Sequence, residues 1–396
     1  MAILCIVATA NCSGNEQGHL VSSSLGDMNF APGPRQNYDR DIVNACGEVG
    51  VTPKGRLLLE RDAYLQRVEE RAASLVWVST ASDIVARLDD STYVTGVLDS
   101  SAAPKRGQQY TAGLTTKAAE IHCYQLLQGQ LVLQRGGFRS APTQSETVFF
   151  SVLGDLGTNT SDQRAVLKQL KGVRSDLLLI TGDVAYGEGT LAQYEAYFFS
   201  VYRDILALIP VFPVSGNHDY ETRNAAAFRE VFVLPENSGL EGKERWYSFN
   251  WGPVHFVMLD TEVLSDGQAR WLSSDLQANT RPWTIAVLHR PPYSSGSHGS
   301  DMSVRKLFQP LMAIQGVDLV LAGHEHNYER IRPIDGVTHV ITGGGGRGTR
   351  PVGKASFTAF SMRVAHFVHI EANANTLTLH AIDASGQEFD SMRLTQ

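Results

Sequence analysis

Five short motifs in the second half of this chain carry side chains of the kinds that bind metal ions. They are Gly154-Asp155-Leu156-Gly157, Gly182-Asp183-Val184-Ala185-Tyr186, Gly216-Asn217-His218-Asp219, Val287-Leu288-His289 and Gly323-His324-Glu325-His326. Together they offer carboxylates, a phenol, an amide oxygen and imidazoles. That donor set is hard to borderline and suits iron, zinc or manganese better than Cu(I). It is large enough to bind two metal ions that share one carboxylate. His324 and His326 are two residues apart, so they share a face in an extended segment, whereas in a loop they could reach different metals. Each motif alone is weak: Gly-Asp is commonly a turn, Asn-His-Asp a helix cap or turn, and Gly-His-x-His a pair of surface histidines. Their joint presence, in one order, is hard to explain by chance.

Each motif follows an apolar, β-branched run, which places it in a loop at the carboxyl end of a strand. From Thr147 onward the pattern predicts strands over 148–153, 177–180, 211–214, 254–259, 283–288 and 319–321. Helices are predicted over 162–170 and 191–208, around 267–276 and around 304–313. This alternation indicates α/β layers, and an open α/β sheet builds its site at strand ends. Asp155 and Asp183 follow successive strands of a βαβ unit, so their carboxylates should lie together. The glycines beside them (Gly154, Gly157, Gly182, Gly216, Gly323) let the backbone turn sharply off each strand. The chain ends differently, with strands over 338–341, 364–370 and 376–382 and no obvious helices between them.

Upstream, short closely spaced strands over 74–79, 84–88, 92–97, 120–127, 130–134 and 137–140 suggest a β-sandwich. The period of residues 59–73 fits a helix. Residues 1–55 are rich in Gly, Ser, Asn and Pro and read as a leader or irregular extension. Residues 2–10 are apolar, like the end of a signal-peptide core, but no Lys or Arg precedes Arg35. Either the start is truncated or the segment is a buried strand. The four cysteines, Cys5, Cys12, Cys46 and Cys123, allow three pairings, and unpaired thiols are an equal alternative.

A chain of 396 residues with 43% hydrophobic and 19% charged residues has room for two domains. Its net charge of −7 and the lack of a Lys/Arg block give no sign of a nucleic-acid surface. No apolar run reaches the ~18 residues of a membrane span. Nothing in the sequence indicates the oligomeric state.

The motif order resembles that of the calcineurin-like metallophosphoesterases, and the tyrosine of the second motif resembles the purple acid phosphatase branch. Trp246-Tyr247-Ser248-Phe249, Gly252-Pro253-Val254-His255-Phe256, Leu259-Asp260-Thr261, His289-Arg290-Pro291-Pro292-Tyr293 and the run from Gly323 to Arg330 agree. The resemblance covers roughly residues 146–385. It implies an α/β catalytic domain over 146–396, with two mixed β-sheets flanked by helices in a four-layer αββα sandwich. It also implies a fibronectin-III-like all-β sandwich over 56–145, with residues 138–142 at its end. By the same resemblance, Asp155, Tyr186 and His326 would hold a ferric ion. Asn217, His289 and His324 would hold a divalent Fe, Zn or Mn, and Asp183 would bridge both. His218 and His298 would face the phosphate. The implied activity is acid phosphatase: release of phosphate from a small-molecule phosphomonoester by in-line attack of a metal-bound hydroxide. An imidazole at His298 or His218 could protonate the leaving oxygen, worth ~10²–10⁴ in rate. The family, the sandwich and the cysteine placement together lead us to expect export.

Other readings follow from other residues. A phosphodiesterase with the same metals would need a basic or aromatic second subsite, for which Arg290, Arg347 and Arg350 are candidates. A binding module could act through the N-terminal sandwich. Asp219 could orient a neighbouring imidazole or serve as a turn or cap. His255, inside a strand, should pack or hydrogen-bond there. Gly343 to Gly346 lack the Lys-Ser/Thr of a P-loop and read as a flexible turn near the metal site.

Overall fold

Two mixed β-sheets form the centre of the larger part of the chain. In the first, Val211–Pro213, Leu177–Ile180 and Val148–Leu153 run parallel, and His366–Ala372, Thr376–Asp383 and Glu388–Thr395 continue antiparallel. In the second, Val254–Met258, Trp283–Leu288, Leu319–Ala322 and Val337–Thr342 are parallel. Antiparallel strands flank them: Tyr247–Trp251 at one edge, Tyr328–Ile334 and Thr358–Met362 at the other. The computed structural model describes residues 38–89, 91–98 and 107–396. Cys5, Cys12 and the apolar segment 2–10 lie outside them.

The continuous apolar runs follow from this layering, because a central parallel strand is covered on both faces. Leu177–Ile180 is buried at every position. Phe150 of the first sheet meets Phe256 of the second edge-on, with centroids 5.2 Å apart. On the outer face of the second sheet, Val257, Ala286, Leu288 and Val320 pack with Leu272, Leu276, Val304, Phe308 and Met312 of helices Asp266–Ala278 and Met302–Ile314. Helix Ser161–Leu170 lies against the first sheet. The layers therefore run helix, sheet, sheet, helix. Thr160, Ser265 and Asp301 start these helices by accepting from backbone N–H groups of the first turn.

Residues 50–139 contain two antiparallel sheets. One orders Gly50–Val51, Leu131–Arg139, Ile121–Gln128, Ile84–Leu88 and Thr92–Thr95; the other orders Leu59–Gln66, Ala72–Ser79, Gln108–Thr115 and Val97–Leu98. Gln134 pins them together, its amide accepting from Ala63 N–H at 2.7 Å and donating to Ala63 O at 3.1 Å. Three expectations change here. The 59–73 segment is strand, not helix, because Leu59–Gln66 pairs with Ala72–Ser79 and its last four residues are all buried. Residues 40–51 are not irregular: Arg40–Cys46 is a helix joined to Ile121–Gln128 by the Cys46–Cys123 disulfide, and Gly50–Val51 pairs with Leu131–Arg139. The 191–208 helix is interrupted by a π-helical stretch, Tyr194–Phe199, between Leu191–Gln193 and Ser200–Leu206.

The sandwich and the layered region share one apolar core, stitched by buried polar bonds. Gln66 donates to Val211 O at 3.0 Å and accepts from Val233 N–H at 3.1 Å. Tyr124 donates to Ala207 O at 2.8 Å. Arg61, buried, donates through Nε to Glu195 at 2.8 Å and lies 4.0 Å over the Phe199 ring. Among the described residues no helix is long and apolar enough to cross a membrane.

Severing this junction would strand polar backbone groups and expose apolar surface at once. We therefore expect residues 146–396, produced alone, to be insoluble or to melt without a cooperative transition in calorimetry. A soluble fragment melting sharply at the midpoint of the full chain would contradict this.

Candidate metal centre

Parallel strands end at a common level in each sheet: Leu153 beside Ile180, Ile180 beside Pro213, and Leu288 beside Ala322. The chain leaves these ends carrying Asp155, Asp183, Asn217, His289 and the His324–His326 pair. Three of the motifs thus come from one sheet and two from the other, and they meet where the sheets face each other.

Two groups of contacts result. Tyr186 donates its hydroxyl to Asp155 Oδ1 at 2.9 Å and lies 3.1 Å from His326 Nε2, which is 3.4 Å from the same Asp155 oxygen. His289 Nε2 lies 3.1 Å from Asn217 Oδ1 and 3.5 Å from Asp183 Oδ1, and the His324 ring is 5.0 Å from the His289 ring. Asp155, Asp183 and His289 each present a ligand atom within 4.8 Å of the others. The structure thus brings together all seven side chains expected to bind metal.

The donor chemistry fits metal ions. Asp155 and Asp183 are buried, 0% and 1% exposed. Among the described residues they are paired only with the imidazoles of His326, His218 and His289. Two buried carboxylates this close, with no guanidinium or ammonium between them, are costly unless a cation compensates them. His289 is set up as a ligand: Nδ1 lies 2.8 Å from Thr181 O, which can only accept, so Nδ1 carries the proton and Nε2 presents its lone pair. Burial, then Asp155 and Asp183, hold the Tyr186 phenol well above its ordinary pKa, so ionising it there calls for a nearby cation. Burial, and next the neighbouring His289, push His324 down to about 2, keeping that imidazole neutral.

The backbone is bent to make this arrangement. Asp155, Asp183 and His324 sit at φ of 56°, 50° and 70°, in the left-handed region. Such conformations cost roughly 1–3 kcal/mol each and persist where the surroundings over-determine them. Here the ligands hold one another. Asp155 Oδ2 accepts the His324 N–H at 2.9 Å, and Asp183 Oδ1 accepts the His218 N–H at 2.9 Å. Glycines serve two purposes. Gly182, at φ 93°, makes a turn that L side chains rarely adopt. Gly216 instead permits close approach, since a Cβ there would stand 2.2 Å from Asp183 Oδ1.

Asp219 does not orient an imidazole. Its buried carboxylate accepts from Gly216 N–H at 2.9 Å, Val184 N–H at 3.2 Å and the Tyr194 hydroxyl. It ties the second motif to the third. His218 lies against Tyr186, ring centroids 4.4 Å apart, with Nδ1 2.5 Å from Gly187 O and Nε2 4.0 Å from Asp183 Oδ2. His298, its side chain 41% exposed, lies 4.3 Å from the His324 ring.

Sequence reasoning missed what holds His298 there. Glu325 is fully buried and accepts the N–H groups of Ser297 and Gly299 at 3.0 Å each, and that of His298. Glu329 accepts from the Ser295 N–H at 2.8 Å and its hydroxyl at 2.7 Å. The available signal was two glutamates within a stretch otherwise reading as interior. His255 bonds within its surroundings as expected, to Asp275 at 2.7 Å and Asn250 at 2.8 Å. Arg290 is committed to Glu262 by two 2.8 Å bonds. Gly343 to Gly346 lie beside the centre but are closely packed: a Cβ on Gly343 would meet Glu325 O at 2.2 Å and Asp155 Oδ2 at 2.6 Å.

Comparison with known proteins agrees with this geometry. Residues 150–328 match the family model of calcineurin-like phosphoesterases. Acid phosphatase type 7 of Homo sapiens is 33% identical over 244 residues, 50% of this chain and 54% of that protein. Purple acid phosphatase 21 of Arabidopsis thaliana is 31% identical over 212 residues, 50% of this chain and 48% of that protein. The chain thus spans about half the length of these relatives. A purple acid phosphatase from yellow lupin (Lupinus luteus) seeds shares the fold with a TM-score of 0.72 at 20% identity, over 84% of this chain and 74% of that one.

Replacing Gly216 by alanine should push the Asp183 carboxylate out of place. We expect a loss of about 1–3 kcal/mol in stability, as for other overpacked interiors, measured by urea unfolding. An unchanged midpoint and slope would show that the approach is not tight.

Proposed function

We propose that this chain is a two-metal hydrolase that releases phosphate from phosphomonoesters, of the purple acid phosphatase type. The observation that carries the reading is the buried pair Asp155 and Asp183, with no lysine or arginine partner among the described residues and ringed by five further donors. Asp155, Tyr186 and His326 would hold a ferric ion. Asn217, His289 and His324 would hold divalent Fe, Zn or Mn, with Asp183 shared. Bound there, such ions polarise phosphoryl oxygens and acidify water.

The remaining work falls to this chain's own side chains. His218 commits its Nδ1 proton to Gly187 O, which leaves Nε2 facing the site to hold or give a proton. His298, half-exposed beside His324, can exchange a proton with bulk water and deliver it to the leaving alkoxide. Glu325 keeps His298 in reach by holding its loop. We read the two-sheet region as a fibronectin-III-like sandwich acting as a scaffold, given its polar bonds to the catalytic layers. The Cys46–Cys123 disulfide supports export to an oxidising compartment.

The test is kcat/KM for an aryl phosphate monoester against the matching diester, at pH 5 and pH 7.5 with defined metals. We expect the monoester to be preferred, and Asp183→Asn to cost roughly a hundredfold or more. Diester preference or intact activity in Asp183→Asn would overturn the proposal. His298→Ala should lower kcat by ~10²–10⁴; an unchanged kcat would assign proton delivery to His218. Ferric iron at Tyr186 predicts a visible charge-transfer band absent from Tyr186→Phe, and a colourless active enzyme would contradict iron.

A further inference from the structure

A cleft of about 250 Å³ opens between the sandwich strand Leu59–Gln66 and the helical stretch 194–206. Glu60, Ala63, Glu195, Phe199, Arg203 and Leu206 line it, and none of the seven donors of the metal centre does. Ligand sites commonly form at such junctions, with apolar walls and a few placed polar groups. Pockets for drug-sized ligands run roughly 300–1,000 Å³, so this cleft suits a smaller molecule.

Most of the charged groups around the cleft are already committed. Arg61 gives Nε to Glu195 Oε1 at 2.8 Å and Nη1 to Gln109 at 2.9 Å. Arg56 holds both oxygens of Asp62, at 3.0 Å and 2.8 Å. Two opposite charges are left over. Glu60 is exposed on its strand and has no hydrogen bond or ion pair among the described residues. The Arg203 guanidinium makes no hydrogen bond, and its only ion-pair partner, Asp62, stands 3.9 Å from Nε. That Nε is closed off from solvent without an acceptor. A solvated surface charge needs no partner, but a donor shut away from water does. Glu60 and Arg203 are not paired with each other, although both line the same cleft.

We infer that this cleft binds a free α-amino acid with an apolar side chain. The ammonium meets Glu60, with the uncommitted Oε2 of Glu195 as a second acceptor. The carboxylate meets Arg203, whose guanidinium fork matches it. The side chain lies along Ala63, Phe199 and Leu206. A molecule with one charge alone would leave either Glu60 or Arg203 unanswered, and the small volume puts both charges on one short molecule. This binding does not depend on the phosphatase reading.

The experiment is calorimetric titration of the full chain with L-alanine, L-leucine and L-phenylalanine. Isopentylamine, which is L-leucine without its carboxylate, and isocaproate, which is L-leucine without its ammonium, are the controls. We expect L-leucine or L-phenylalanine to bind more tightly than L-alanine, and neither control to bind. Orthophosphate should not compete, as it would at the metal centre. Glu60→Gln and Arg203→Met should each weaken binding about tenfold or more, the scale of a charge-assisted hydrogen bond. Arg203→Lys should weaken it less, because the charge returns without the fork. No heat from any of the three amino acids at roughly 10 mM overturns the site, as does an affinity within about threefold of wild type in both charge-removing variants. Isopentylamine binding as tightly as L-leucine would also overturn it, leaving a plain cation site.

Discussion

The structure turns on two carboxylates that should not be neighbours. Asp155 and Asp183 leave adjacent parallel strands at the same level and are buried side by side. Like charges in a low-dielectric interior repel strongly, and no lysine or arginine stands between them among the described residues. Much around them holds this unfavourable approach in place. The backbone takes left-handed conformations at Asp155, Asp183 and His324. Gly216 gives up its side chain to make room. Asp219 gathers amides from two motifs so that the loops cannot spring apart. A protein holds such strain where a cation is to be bound.

That tension reaches beyond the centre. Asp219 accepts from Tyr194, the first residue of the π-helical stretch, and the next residue, Glu195, receives Arg61 from the sandwich. A π-turn inside an α-helix is rare and recurs at functional sites. Here it aims neighbouring residues in different directions, one at the ligand loops and one at the sandwich. The sandwich is thus physically continuous with the loop scaffold, through a buried arginine stacked on Phe199.

The proposed ligands could be named from the sequence because each motif is local and follows a strand visible as an apolar run. The βαβ spacing sufficed to place Asp155 beside Asp183. What could not be read was tertiary. Asp219 does cap its own helix, accepting from the Gly216 N–H, but its second partner, Val184, belongs to a separate motif. Glu325 was in plain view between two histidines, yet its role depends on amides about 27 residues away. Arg290 looked available for substrate until Glu262 took its Nε and Nη2 donors. The 59–73 segment has an apolar period that suits a helix, and pairing with Ala72–Ser79 overrode it. The strand Gln108–Thr115 was not expected, although it pairs with Ala72–Ser79 along its whole length.

The seven donors are proposed to hold two metal ions around Asp183. The most direct measurement is elemental analysis of the purified full chain after dialysis, beside Asp183→Ala. Two bound transition-metal ions per wild-type chain are expected, and fewer than two in the variant. A wild type that retains one ion or none after reconstitution, or a variant that retains two, would contradict it.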